Sequence, residues 1–217
     1  MKERNWRLEI KHLVTLVIGI LIMSLGVAIS KIATLGTSPI SSIPNVLSFI
    51  VPLTIGQTTM ILMVVLIILE WIILRRDFNW QNLIQLIPSF LFGIMIDYFV
   101  RLLDFLTPTN YLVALAMTLV SIVILAIGVY FEVNARSLVM AGEGIAAAIA
   151  FVTKKPFGQT KVRADITMVV VAVLISLIFT GKLIGVREGT VLSAVFAGRI
   201  VDFLEFHFEG FTNWLNN

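Results

Sequence analysis

Apolar runs and the breaks between them divide the chain into eight segments, at roughly residues 12 to 33, 39 to 53, 57 to 74, 82 to 103, 111 to 133, 139 to 153, 164 to 181 and 188 to 206. Six of them have 17 or more residues and can cross an apolar core of roughly 30 Å. The second and sixth have about 15 and reach only about 22 Å as helix. Few folds accept such a pattern. Apolar residues make up 59% of the chain and charged ones 13%, whereas a water-soluble domain is about half apolar and about a quarter charged. With a mean hydropathy of +1.01, too little polar surface remains to coat a globule of 217 residues. The expected fold is therefore all-α, a polytopic membrane helix bundle forming a single membrane domain over residues 1–217. Six full spans plus two short or re-entrant segments are expected, with eight spans as the alternative.

The net charge of +3 does not point to nucleic acid, because the sixteen Lys and Arg sit in short clusters between the apolar runs. That distribution is the one that orients a protein in lipid. Lys2, Arg4, Arg7 and Lys11 precede the first run, and Ala28-Ile29-Ser30 resembles a signal-peptide cleavage site. The segment recurs later as half of an internal repeat, so the four charges read as a cytoplasmic N-terminus. There is no cysteine, and the only histidines, His12 and His207, lie at opposite ends. Thiolate chemistry, a histidine metal cluster and a Ser/His/Asp triad are all unsupported. Neither an enzyme nor a cofactor nor a metal is expected, and any proton chemistry falls to Glu or Asp.

A shift of 102 residues superposes the two halves without a gap. Gly26-Val27 falls on Gly128-Val129, Ala33 on Ala135, Ile43 on Ile145, Phe49 on Phe151 and Gly56-Gln57-Thr58 on Gly158-Gln159-Thr160. With three further residues inserted, Gly93 and Asp97 meet Gly198 and Asp202. The chain reads as a duplicated four-segment unit, repeat 1 at about 12–104 and repeat 2 at about 111–206. Crossing short segments would make the repeats parallel; re-entrant ones would make them inverted. Six spans place 12 basic residues inside and 4 outside, against 10 and 6 for eight spans, which favours the inverted arrangement.

The halves agree in backbone but not in charge. Where the first carries Ser30, Thr34, Ser41, Ile61, Met63, Leu83 and Ile94, the second carries Glu132, Arg136, Glu143, Arg163, Asp165, Glu188 and Arg199. Ionisable groups within membrane segments are costly unless paired or wet, so they mark a pathway or a site. Glu143, within Met140-Ala141-Gly142-Glu143-Gly144, is the sharpest candidate, as a helix cap or as a solute, proton or cation site. Glu132 and Arg136, four apart and flanking Asn134, read as a structural pair. Arg163 and Asp165 suggest a deeper pair at the start of the seventh segment, beside Lys161. Asp97 with Arg101, and Asp202 with Arg199, read as structural pairs, with the nearby glycines as packing contacts. The Gly-Gln-Thr stretches read as turns whose Thr caps the following helix. Thr37 and Ser38, in Thr34-Leu35-Gly36-Thr37-Ser38-Pro39, suit a loop lining a cavity.

Gly19-Ile20-Leu21-Ile22-Met23-Ser24-Leu25-Gly26-Val27-Ala28, followed by Leu35-Gly36-Thr37-Ser38-Pro39, resembles the opening of the YczE branch of the YitT/YczE-like bacterial integral membrane family. Gly142-Glu143-Gly144, Lys161, Asp165 and Gly185-Val186-Arg187-Glu188-Gly189-Thr190 are similar to other members. The resemblance implies a multi-pass protein of the bacterial inner (plasma) membrane and supplies no substrate. The function expected is a transporter or channel for a small polar or ionic solute, with its site at the repeat interface. Glu143, Arg163, Asp165, Thr37, Ser38, Asn134 and Glu188 are the expected solute-binding residues. The alternative is a non-transporting scaffold or accessory protein for a partner enzyme or exporter. Membrane lipid and a small-molecule or ion solute are the expected partners, nucleic acid is not, and a homodimer stays open.

Overall fold

The computed structural model describes residues 6–216 and is helical, with no strand among them. Lys2 and Arg4 of the basic N-terminal cluster lie outside the described residues. The helices are α1 (Trp6–Ala33), α2 (Pro39–Ile50), α3 (Ile55–Leu74), α4 (Leu86–Leu102), α5 (Tyr111–Ala135), α6 (Ala141–Thr153), α7 (Phe157–Thr180), α8 (Glu188–His207) and α9 (Glu209–Asn216). Two 3-10 turns, Arg75–Asp77 and Trp80–Gln85, join α3 to α4. Each of the eight apolar segments corresponds to a helix, and α9 is additional.

Local chemistry fixes several ends. Thr54 opens α3 in a capping box: its hydroxyl accepts from Gln57 N at 3.2 Å, and Gln57 Oε1 accepts from Thr54 N at 3.0 Å. The Gly-Gln-Thr stretches are therefore the first turns of α3 and α7 rather than capping turns, and Thr58 and Thr160 are buried inside those helices. Asn110 caps α5 by accepting from Val113 N at 2.9 Å. Gly181 closes α7 in the left-handed region, at φ 64°, where glycine is unstrained. The seventh helix begins at Phe157, not near 164. Lys161, Arg163 and Asp165 interrupt the apolar run without interrupting the hydrogen-bonded helix.

α1 and α5 pack along each other through glycines. A Cβ at Gly26 would lie 2.8 Å from Leu125 N, and one at Gly128 would lie 2.5 Å from Met23 N. Gly19 meets Gly128, Phe131 and Glu132, while Gly26 meets Ser121 and Leu125, so position rises along α1 as it falls along α5. The two helices are antiparallel. Close backbone approach at small residues is how helices associate in lipid, where no hydrophobic effect drives them together. Within each half α4 lies on α1 and α8 on α5, whereas α2 lies on α7 and α3 on α6 across the halves. One core gathers Leu16, Ile20, Phe92, Ile96 and Leu125; the other gathers Val46, Met63, Ile145, Met168 and Ala172.

Five helical stretches are long and apolar enough to cross a membrane: Leu8–Ala33, Ile55–Asp77, Trp80–Leu102, Tyr111–Ala135 and Phe157–Thr180. α8 has 20 residues but carries Glu188, Arg199, Asp202 and Glu205, which keeps it out of that set. Large apolar side chains such as Trp71, Ile72, Leu112, Ile178 and Phe179 are exposed on these helices. That is the surface of a protein solvated by lipid rather than water.

Candidate functional site

Four charged residues of the second half, Glu132, Glu143, Lys161 and Asp165, gather where α5, α6 and α7 meet. The last turns of α5 carry Glu132 into the interior, where it is 6% exposed. Arg136 then leaves the helix in a left-handed conformation, at φ 45°. The chain re-enters at Met140, so that Glu143 stands in the first turn of α6, where the helix dipole favours a carboxylate. Lys161, one turn into α7, closes the group: its Nζ is 3.2 Å from Glu143 Oε1 and 3.2 Å from Asp165 Oδ1. Glu132 lies beside Glu143 and within reach of the Lys161 charge. Two carboxylates thus share one ammonium, with a third, Glu132, close by. Glu132 Oε1 and Glu143 Oε2 have no hydrogen-bond partner among the described residues.

A buried carboxylate that sequence reasoning passed over adjoins this group. Glu70, on α3, is 3% exposed and accepts from Asn82 Nδ2 at 2.6 Å and Gln85 Nε2 at 3.2 Å. Gln85 Oε1 has no partner and sits against Gly144, so closely that any Cβ there would collide with it. A side chain at 144 would have to displace the Gln85 amide. The available signal was a lone Glu inside the apolar run of α3, followed by two amides on the next turn of chain.

The neutral counterpart lies in the other half. Thr37 and Ser38 are buried with unpartnered hydroxyls, and they line a cavity of about 10 Å³ together with Ser30, Thr118, Ser121 and Ser193. Such a cavity has room for a single water. Ser41, the residue aligned with Glu143, is 1% exposed and also unpartnered. Between the two polar regions the first turns of α2 and α6 abut, since a Cβ on Gly142 would run into the side chain of Ile40. Neither preceding residue, Ser38 or Met140, caps its helix with a side-chain bond.

Other expected partners are not brought together. Glu132 does not pair with Arg136, because α5 ends at Ala135 and the exposed, left-handed Arg136 has lost the helical i,i+4 geometry. Asp165 pairs with Lys161 rather than Arg163, which is exposed on another face of α7. Asp97 does not pair with Arg101. It caps α3 instead, accepting from Thr54 Oγ1 at 2.5 Å and from Gly56 N at 2.8 Å. Arg199 and Asp202 are both exposed, with no ion pair between them. Asn134 is buried and donates to Tyr130 O at 2.9 Å, and Glu188 makes an exposed pair with Arg187 at 3.1 Å. Glu188 stands apart from the Glu143–Lys161 pair. Replacing Asp97 by Ala strips α3 of a charged acceptor, so a loss of about 1.5–3 kcal/mol is expected in thermal unfolding, with Arg101→Ala nearly silent.

The same two-helix contact is closed in one half and open in the other. In the first, Gly56 of α3 packs directly on Gly93 of α4 and receives the Asp97 carboxylate. In the second, no atom comes within 4 Å of a Cβ built on Gly158 or Gly198, and no comparable packing joins α7 to α8.

An all-helical bundle with five candidate spans and charges buried between its helices is the architecture of a multi-pass membrane protein. The chain belongs to DUF6198, a family of unknown function, whose model matches residues 10–206. No curated protein and no solved structure matches it.

Proposed function

We propose that the protein is an alternating-access transporter for a small polar or ionic solute, built from two inverted four-helix repeats. The difference between the α3–α4 and α7–α8 contacts carries this reading. A duplicated unit that holds two arrangements within one chain is what alternating access requires, because exchanging the arrangements moves the opening from one side to the other. The antiparallel packing of α1 on α5 supports the inverted relation, as does the exchange of neighbours between halves. The Gly26–Leu125 and Gly128–Met23 contacts map onto each other under the 102-residue shift.

The solute site sits where the short helices α2 and α6 meet. Ser41 and Glu143 face it from equivalent positions, and Lys161 and Asp165 complete its charged side. An excess of carboxylates over cations in a membrane interior suits a group that takes up and releases a proton or a cation. Thr37 and Ser38 serve the neutral half, Glu132 joins the acidic contributors, and the exposed Arg163 drops out of the set. The resemblance to the YitT/YczE-like family and a bacterial inner-membrane location belong to the same proposal.

In the alternate state Asp202 caps α7 as Asp97 caps α3. Residues 156 and 202 occupy the places of Thr54 and Asp97, whose side chains touch. Cysteines at 156 and 202, in this cysteine-free chain, are expected to form a disulfide under oxidation and to arrest flux in proteoliposomes, reversibly with reductant. Failure to cross-link under every solute and pH condition would remove the alternate state. The inverted arrangement also places Arg75 and Arg76 with the N-terminus in the cytoplasm. A cysteine at position 76 is then expected to label only after permeabilisation; labelling in intact cells would restore eight spans and parallel repeats.

A further inference from the structure

A cavity between the short helices and α3 and α7 has no part in the polar site. It holds about 560 Å³, within the range of roughly 300–1,000 Å³ typical of small-molecule sites. Its walls come from α2, α3, α6 and α7 and are apolar for most of their length, with Ile43, Leu66, Ile145 and Met168 among them. These are equivalent residues of the two halves: Ile43 aligns with Ile145 and Leu66 with Met168. The cavity therefore straddles the repeat interface, and its body is the same chemistry from either side.

One end differs. Lys155, in the turn between α6 and α7, and Arg163, in the second turn of α7, line the cavity where α7 begins. Both are exposed, and neither forms an ion pair among the described residues. Lys161, in the same stretch, is already committed to Glu143 and Asp165. No carboxylate lines the cavity. The aligned first-half residues are Leu53 and Ile61, so the duplicated scaffold does not itself call for cations here. An apolar chamber with two uncompensated cations at one mouth matches a ligand with a hydrocarbon tail and an anionic head.

We infer that this cavity binds an anionic phospholipid, with one acyl chain between α3 and α7 and its phosphate on Lys155 and Arg163. The source is the membrane itself. Arg can grip a phosphate with two parallel N–H donors, and Lys adds a point charge. Basic residues at a membrane surface are drawn to anionic lipid in any case; the cavity adds a place for the chain, which a surface patch lacks. This inference does not depend on transport.

The test uses the whole protein, delipidated and then supplied with phosphatidylglycerol or phosphatidylcholine of the same chain length, read by native mass spectrometry and thermal unfolding. Phosphatidylglycerol is expected to remain bound at least tenfold more than phosphatidylcholine and to raise the unfolding temperature. Lys155→Gln with Arg163→Gln, two exposed positions, is expected to abolish that preference while leaving unfolding without lipid unchanged. Ala164→Phe, which projects into the cavity, is expected to lower retention of both lipids. A second cavity variant, Ile149→Phe, guards against a folding defect at 164. Equal retention of the two lipids, a preference that survives the double substitution, or equal stabilisation by inorganic phosphate alone would each overturn the assignment.

Discussion

Lys161→Met is expected to be the most damaging single substitution in the charged half of the molecule. It removes the only ammonium among the described residues that contacts Glu143 and Asp165, and it leaves Glu132, Glu143 and Asp165 close together without a counter-charge. Breaking a buried pair from one side costs about 3–5 kcal/mol. The Lys161 side chain keeps 27% of its exposure, which places the expected loss near the lower end, about 3 kcal/mol. For a chain of this size that is a fall of about 6–12 °C in the unfolding midpoint. The sign of the rescue is the sharper test. Adding Glu143→Gln and Asp165→Asn to Lys161→Met neutralises the stranded carboxylates, so the triple variant is expected to recover most of the loss. It would do so without recovering function, because the groups proposed to handle solute are gone. Losses that simply add would show that these side chains do not act as one cluster.

How far the sequence could be read depends on which interactions set each feature. The helices were legible because hydropathy and length govern what can lie in lipid, and the eight apolar runs correspond to α1 to α8. Charge pairing was not, because spacing along a chain predicts contacts only inside one helix. Glu132 and Arg136 are spaced for a pair, but α5 ends between them, and Glu132 finds its neighbours on α6 and α7. Arg163 and Asp165 are two apart and diverge once both are helical, whereas Lys161 and Asp165 are four apart and meet. Asp97 shares a helix with Arg101, yet the free N–H groups of α3 claim it. Glu70 was hidden for the opposite reason. A single charge within a strongly apolar run scarcely alters its hydropathy, and its partners Asn82 and Gln85 come from the connection beyond α3. The expected repeat pairs Gly93 with Gly198, and their surroundings differ: Gly93 packs on Gly56, whereas a Cβ on Gly198 meets nothing within 4 Å.

That difference allows the transporter reading to be separated from a passive scaffold with one pair of substitutions. Gly93→Leu is expected to destabilise the folded protein, because a Cβ at Gly93 already meets Met60 and the Gly56 carbonyl. Overpacking of this kind costs about 1–3 kcal/mol, and a Leu so close to backbone belongs at the top of that range. A Cβ on Gly198 meets nothing within 4 Å, and Leu has a better helix propensity than Gly by somewhat under 1 kcal/mol. The stability of Gly198→Leu should therefore be unchanged or slightly raised. If the α7–α8 contact never closes, Gly198→Leu is a neutral surface change, and flux or partner activity continues as before. If α8 must dock on α7 as α4 docks on α3, the leucine blocks Gly158 from approaching and holds the second half open. The expected result is a protein that folds, reaches the membrane and binds solute from one side, with turnover in proteoliposomes reduced at least tenfold. Gly158→Leu, on the opposing helix, should reproduce that arrest, since either side chain fills the same contact. Full turnover in both variants would leave the open α7–α8 face as a fixed feature of the fold and remove the ground for alternating access.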